Sequence, residues 1–161
     1  MNIFCTSECP ERSARWCVDR HVSKMPLETA QLLCAAYHVQ GIHAPYRLTH
    51  KNHPSTVWSR TSCLNYEWTI KHGKMLCDEY TARYGRRHAS QDVIEWCDNN
   101  SHNLKFDNFE QTEFAVAIGS DMLCRQVTGF DQMPVVDKYR FYYRLDKAHL
   151  HHWKRNKPNW I

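Results

Sequence analysis

The eight cysteines of this 161-residue sequence (5, 9, 17, 34, 63, 77, 97 and 124) contain no Cys-x-x-Cys pair and no zinc-ribbon spacing. That absence argues against a thiolate zinc site and, in a reducing compartment, against disulfides. Most of the cysteines read as small core residues, with Cys5 and Cys9 set apart as the exceptions. No apolar run approaches the roughly 18 residues of a membrane span, and no charged start leads into the short apolar segment of a signal peptide. The expectation is a cytosolic protein that does not engage a membrane. No Gly-x-Ser-x-Gly elbow and no glycine-rich phosphate loop is present, which removes two common catalytic frameworks. Strand-like alternation, repeats, low-complexity tracts and Pro/Gly/Ser-rich linkers are missing as well, so residues 1–161 read as one domain of the all-α class, a compact helical bundle.

What the sequence has in quantity is flat side chains: six Trp, eight Tyr, six Phe and eleven His. Such rings stack on nucleobases. The net charge of +4 and pI near 8.6 permit an anionic partner without demanding a polymer.

The chemistry concentrates between Asp19 and Leu33. On a regular helix His21, Lys24, Glu28 and Gln31 share one polar face, and Leu27, Ala30, Leu33, Cys34 and Tyr37 form a neighbouring apolar stripe that packs on the core. Pro26 places either the start of this helix or a kink within it. The plain reading of the polar face is a solvated surface with a Lys24–Glu28 ion pair worth a few tenths of a kcal/mol.

Around this stretch, Glu11 to Asp19 reads as a first helix after Pro10. A proline-initiated run from Pro54 to Tyr84, as one helix or two nearly continuous ones, is stopped by Gly85. Ser90 caps a short helix through Trp96, Phe109 to Ile118 has helical potential, and a last helix runs from Pro134 to about Trp153. His50 and His53, with His21, form a weakly specific metal-binding set, whereas His149, His151 and His152 fit a wet surface. Phosphate contacts fall to Arg60, Arg83, Arg86, Arg87, Lys138, Arg140 and the basic tail Lys154–Trp160.

Four motifs carry a family resemblance: Asp19-Arg20-His21-Val22-Ser23-Lys24-Met25, His50-Lys51-Asn52-His53-Pro54-Ser55, Asn65-Tyr66-Glu67-Trp68 and Glu79-Tyr80-Thr81-Ala82-Arg83-Tyr84-Gly85. Together with Tyr139-Arg140-Phe141-Tyr142-Tyr143 and Trp153-Lys154, they resemble a group of small tailed-phage proteins. More distantly, the layout is similar to the phage pyrimidine-dimer DNA glycosylase family, endonuclease V. The shared features are Asp19 and His21 followed by Glu28 seven residues on, a helix begun by Pro54, and Arg83 with Gly85 at a helix end.

The resemblance implies a compact helical fold, a phage-infected bacterial host and cleavage of a base–sugar N-glycosidic bond without a cofactor. Under it Glu28 is the carboxylate that stabilises positive charge on the sugar and orients water, and His21 polarises the departing base. Lys24 is an electrostatic partner. Asn65, Tyr66 and Trp68 bind the base, with Gln31, His50, His53, Arg60, Arg83 and Tyr143 as further substrate contacts.

Two departures stand out. The endonuclease family places arginines where this chain has Leu27 and Gln31, and it uses an amine freed by Met removal, which the bulky Asn2 disfavours here. They tilt the expectation toward simple hydrolysis of a small nucleotide, such as a cyclic dinucleotide used as an antiviral signal, over a base in DNA. Two other classes stay open: a nucleotide or single-strand binding protein that does not cleave, and a metal-dependent hydrolase.

Overall fold

A computed structural model describes residues 1–161. It contains helices and no strand: α1 (Pro10–Arg15), α2 (Asp19–Val39), α3 (Pro54–Ser59), α4 (Cys63–Tyr84), α5 (Gln91–Asn99) and α6 (Val135–Leu145), with short 3-10 turns between them. None of the helices is long and apolar enough to cross a membrane.

Local chemistry sets most boundaries. Proline opens α1 and α3 at the first helical turn, where its missing N–H costs nothing. The His53 ring nitrogen Nδ1 accepts from the Ser55 N–H at 3.2 Å, and the Ser62 hydroxyl accepts from the Asn65 N–H at 3.1 Å, capping α3 and α4. Gly85 ends α4 at φ +68°, a left-handed conformation that glycine adopts without penalty, and its N–H returns to the Thr81 carbonyl at 2.8 Å.

Several expectations are corrected. Of the two readings of Pro26, the helix start is excluded, because α2 begins at Asp19 and runs through the proline. The lost hydrogen bond, a cost of about 3 kcal/mol, is offset by complete burial of Val22, Ala30, Leu32, Leu33, Cys34 and Tyr37. Leu27 does not join that buried side and is 41% exposed. The first helix ends at Arg15, short of Asp19. Ser90 precedes α5 without capping it, because its hydroxyl pairs with the Tyr46 hydroxyl at 3.1 Å. The last helix stops at Leu145 and gives way to a 3-10 turn at Ala148–Leu150.

Residues 109–118 are not helical, for a traceable reason: side chains from other elements take up their backbone groups. Asn65 Oδ1 accepts from the Thr112 N–H at 3.0 Å, the Tyr139 hydroxyl accepts from the Ala117 N–H and donates to the Ala115 carbonyl, both at 3.0 Å, and Asn2 donates to the Ala117 carbonyl at 2.8 Å.

α4 packs against α1 and α2, and α5 closes over α2 and α4. The approach requires Gly73, since a Cβ there would lie 2.7 Å from the Thr29 methyl and 3.2 Å from Ile94 Cδ1. One apolar cluster joins α1, the N-terminal segment and α6, and a second fills the space between α2, α4 and α5.

The start of α2 is locked by a buried polar network. Arg83 donates to Asp19 Oδ1, to the Cys17 carbonyl and to the Arg15 carbonyl, each at 2.8 Å, and to Glu79 at 3.0 Å. Asp19 also takes a 2.6 Å contact from His152 Nδ1, and Asn156 donates to Glu79 at 2.8 Å, so the C-terminal tail is tied into the same network. Burial pushes the Asp19 carboxyl toward higher pKa, but the His152 and Arg83 hydrogen bonds outweigh it and the net shift is downward.

Candidate active site

The first three turns of α2 form one wall of a cleft of about 420 Å³. Its polar lining is Asn2, Arg20, His21, Lys24, Glu28 and Lys147, and its apolar lining is Met1, Phe4, Met25, Ala117, Tyr142 and Leu150. The volume lies within the range of small-ligand pockets.

Glu28 is 7% exposed at the cleft and held from both sides. Lys24 Nζ, one helical turn earlier, lies 2.9 Å from Oε1. Oε2 accepts the Asn2 N–H at 2.9 Å and lies 3.6 Å from the Met1 amino group. The carboxylate is therefore fixed in position and balanced by two cations.

The N-terminal segment that reaches Glu28 adopts an unusual shape. Phe4 has φ +52°, which is strained for a residue with a Cβ by about 1–2 kcal/mol. The Asn2 side chain holds the turn by accepting the Ile3 N–H at 2.8 Å and the Phe4 N–H at 3.0 Å. The turn lays the Phe4 ring on His21, with centroids 4.1 Å apart and planes 15° from parallel.

His21 is thus walled in by Phe4 and by Tyr143, whose hydroxyl lies 2.5 Å from Nδ1. Burial, reinforced by the positive charges of Lys147 and Lys24, lowers its pKa to about 3. At neutral pH the ring is uncharged.

The other residues singled out from the sequence separate into three groups. Tyr143 lies directly behind His21 and is fully buried. His53 is half-buried and feels both the Met1 amine and Glu28: burial first, then the amine and His50, lower its pKa, while Glu28 opposes them, which puts it near the cleft. His50 is exposed with φ +48°, Arg60 donates to the Lys51 carbonyl at 2.8 Å, and Gln31 is half-buried on α2 away from the cleft lining.

Asn65, Tyr66 and Trp68 form the third group and point into the protein. The Asn65 amide donates to Trp58 at 2.9 Å and to Thr112 at 2.7 Å, and the Trp68 indole donates to the Glu8 carbonyl at 2.6 Å. Tyr66 stands in the wall of a separate cleft of about 450 Å³, with Leu104, Phe106 and Phe109. Arg83 spends its donors in the Asp19 network. Arg86, Arg87, Lys138 and Arg140 are likewise engaged, with Tyr80, with Asp92 and Glu95, with the Asp131 carbonyl and with the Thr6 carbonyl. Of the two cysteines set apart, Cys9 is exposed and Cys5 is buried. No group of three or more His, Cys, Asp or Glu side chains is arranged to hold a metal ion, and His21, His50 and His53 do not form one.

Of the twelve residues lining the cleft, the sequence singles out only His21, Lys24 and Glu28 as site residues. Among the others Arg20 has a signal, since it sits four residues before Lys24 on the same helical face. Asn2, Phe4 and Lys147 reach the cleft only through the tertiary fold. Lys147 Nζ sits 4.8 Å from the centre of the Tyr142 ring, a cation over an aromatic face at the cleft edge. Comparison of the chain with family models, with curated proteins and with solved structures gives no match.

Proposed function

We propose that the chain is a nucleotide N-glycosidase, hydrolysing the base–sugar bond of a small nucleotide, with a cyclic dinucleotide of the antiviral-signal type as the leading candidate and a base in DNA as the alternative. The observation that carries this reading is Glu28: a fixed carboxylate on the wall of a nucleotide-sized cleft, beside a neutral histidine and between cationic side chains.

The chemistry follows from these groups. As the bond between the sugar anomeric carbon and the base nitrogen breaks, the electron pair leaves with the base and positive charge develops on the sugar. A preorganised carboxylate stabilises that charge. Water then bonds to the anomeric carbon and gives a proton to Glu28, which returns it through solvent to the departed base. Arg20 and Lys147, at the cleft and without a carboxylate partner, are suited to the phosphates of the substrate. The engagement of Arg83, Arg86, Arg87 and Arg140 within the protein favours a small substrate over a duplex. Lys24 and the Met1 amine both face Glu28 as charge partners, which fits hydrolysis better than attack by an amine.

A second reading, capture without cleavage, is favoured by one specific observation: both Glu28 oxygens are already engaged. One experiment separates the two. The protein is incubated with a panel of cyclic dinucleotides and with damaged or modified DNA, and free base is sought by chromatography with mass detection. Hydrolysis yields free base, and Glu28→Gln lowers the rate by about 10²–10⁴-fold. Intact nucleotide recovered from a tight complex, untouched by Glu28→Gln, establishes capture instead. No free base from either panel overturns the enzyme reading.

A further inference from the structure

The pairing behind His21 defines more than its position. Tyr143 is fully buried on α6, and its hydroxyl lies 2.5 Å from His21 Nδ1. No other hydrogen-bond partner within the protein reaches that hydroxyl. If the ring donated from Nδ1, the buried phenol proton would be left without an acceptor, the costly outcome for a buried polar group. Donation from the hydroxyl to Nδ1 leaves no such orphan, and the contact is short enough for a strong O–H to N bond.

The two nitrogens of a neutral imidazole have opposite roles. If Nδ1 accepts, Nε2 carries the hydrogen. No other hydrogen bond within the protein reaches the ring, and His21 lines the cleft.

We propose that Tyr143 is a positioning residue that fixes His21 as the Nε2–H tautomer, making His21 a hydrogen-bond donor to a lone-pair acceptor on the leaving base and not the group that accepts a proton from water. The donor role toward a base rests on the N-glycosidase reading, whereas the tautomer stands on the protein alone. No proton changes owner at His21. The donated hydrogen bond strengthens as the base gains negative charge during bond breaking. By elimination the water's proton goes to Glu28. Bases that offer a ring nitrogen or carbonyl acceptor near the glycosidic bond fit this donor, and analogues in which that atom is replaced by C–H do not.

The test is long-range proton–nitrogen NMR on the full chain labelled with 15N-histidine, with the His21 signals assigned by their loss in His21→Gln. The expected spectrum shows Nε2 protonated and Nδ1 unprotonated. In Tyr143→Phe, which keeps the ring and removes only the hydroxyl, the His21 signals should move toward the other tautomer. A wild-type Nδ1–H tautomer overturns the proposal, as does a His21 spectrum unchanged in folded Tyr143→Phe. If Tyr143→Phe does not fold, the wild-type spectrum still decides the tautomer. The measurement needs no turnover, so a wrong tautomer sinks this assignment alone, and absence of free base from every nucleotide sinks the N-glycosidase reading alone.

Discussion

Lowering the pH from about 7 to about 5 should cost this protein roughly 4 kcal/mol of stability, and two buried histidines account for it. His21 and His72 each have a pKa lowered from the ordinary 6.5 to about 3, in both cases chiefly by burial. His72 is 1% exposed, lies flat on Trp68 with centroids 4.9 Å apart, and has no hydrogen-bond partner on either ring nitrogen. A histidine whose folded pKa is depressed binds fewer protons folded than unfolded. Stability is therefore fully present above 6.5 and erodes as the pH falls from 6.5 toward 3. Near pH 5 the unfolded chain has gained about 1.5 pH units of protonation free energy at each site, or about 2 kcal/mol per histidine at 1.36 kcal/mol per unit. The downward-shifted Asp19 carboxyl acts in the same direction but only below its ordinary value of 3.8. Urea unfolding followed by tryptophan fluorescence at the two pH values measures the loss. His72→Phe separates the contributions: the ring stack survives, two unpartnered nitrogens disappear, and the pH-dependent loss should fall by about half. Stability that changes by less than about 1 kcal/mol over this range, or a loss unaffected by His72→Phe, refutes the assignment of these rings as buried and neutral.

Two further substitutions test the scaffold that holds the cleft. Gly73→Ala puts a methyl 2.7 Å from the Thr29 side chain at the junction of α2, α4 and α5, and should destabilise by about 1–3 kcal/mol in thermal or urea unfolding; an unchanged midpoint would show that the helices can separate there without cost. Arg83→Met removes one partner from the Asp19–Glu79 network and leaves buried carboxylates uncompensated, an expected loss of about 3–5 kcal/mol. Asp19→Asn combined with Arg83→Met should recover part of that loss, and failure to do so would place the energy outside the ion pair.

The sequence makes visible those elements whose signals are local. Pro54 and Gly85 mark the start of α3 and the end of α4 because proline at a first turn and glycine in a left-handed turn act within a few residues, whereas the break capped by Ser62 is not singled out in the run from Pro54 to Tyr84. The face carrying His21, Lys24 and Glu28 was readable because helical periodicity alone aligns it. Residues 109–118 were not readable, since the groups that hold them open come from Asn65, Tyr139 and Asn2, far away in the chain. For the same reason Asn65 and Trp68 resemble a base-binding stripe in the sequence: polar and aromatic residues at helical spacing suit a ligand and a packed loop equally well, and here the loop takes them. Phe4 and Lys147 join the cleft only through folding, and nothing in their own neighbourhoods announces it.

The distribution of unfavourable features bears on whether the cleft serves folding or chemistry. Pro26 sits inside α2 between Lys24 and Glu28, Phe4 takes a left-handed backbone to cover His21, and the polar His21 ring is buried, its pKa pushed down to about 3. A chain selected for stability alone removes such costs easily, with alanine for the helix proline, glycine or asparagine at the left-handed position and an apolar ring for the histidine. Phe4 and His21 instead line the same cleft as Glu28, and Pro26 lies in the turn of α2 between the lining residues Met25 and Glu28. Strained conformers persist where the surrounding structure over-determines them, and they gather at sites that use the geometry they enforce. The Asp19–Arg83 network supplies that over-determination from outside the cleft, by fixing the first turn of α2 to α4 and to the C-terminal tail. The Asp19-x-His21 and Glu79-Tyr80-x-x-Arg83 motifs are thus two halves of one device: the acidic residue and the arginine anchor the helix, and the histidine two residues on, on the other side of the helix, faces the cleft.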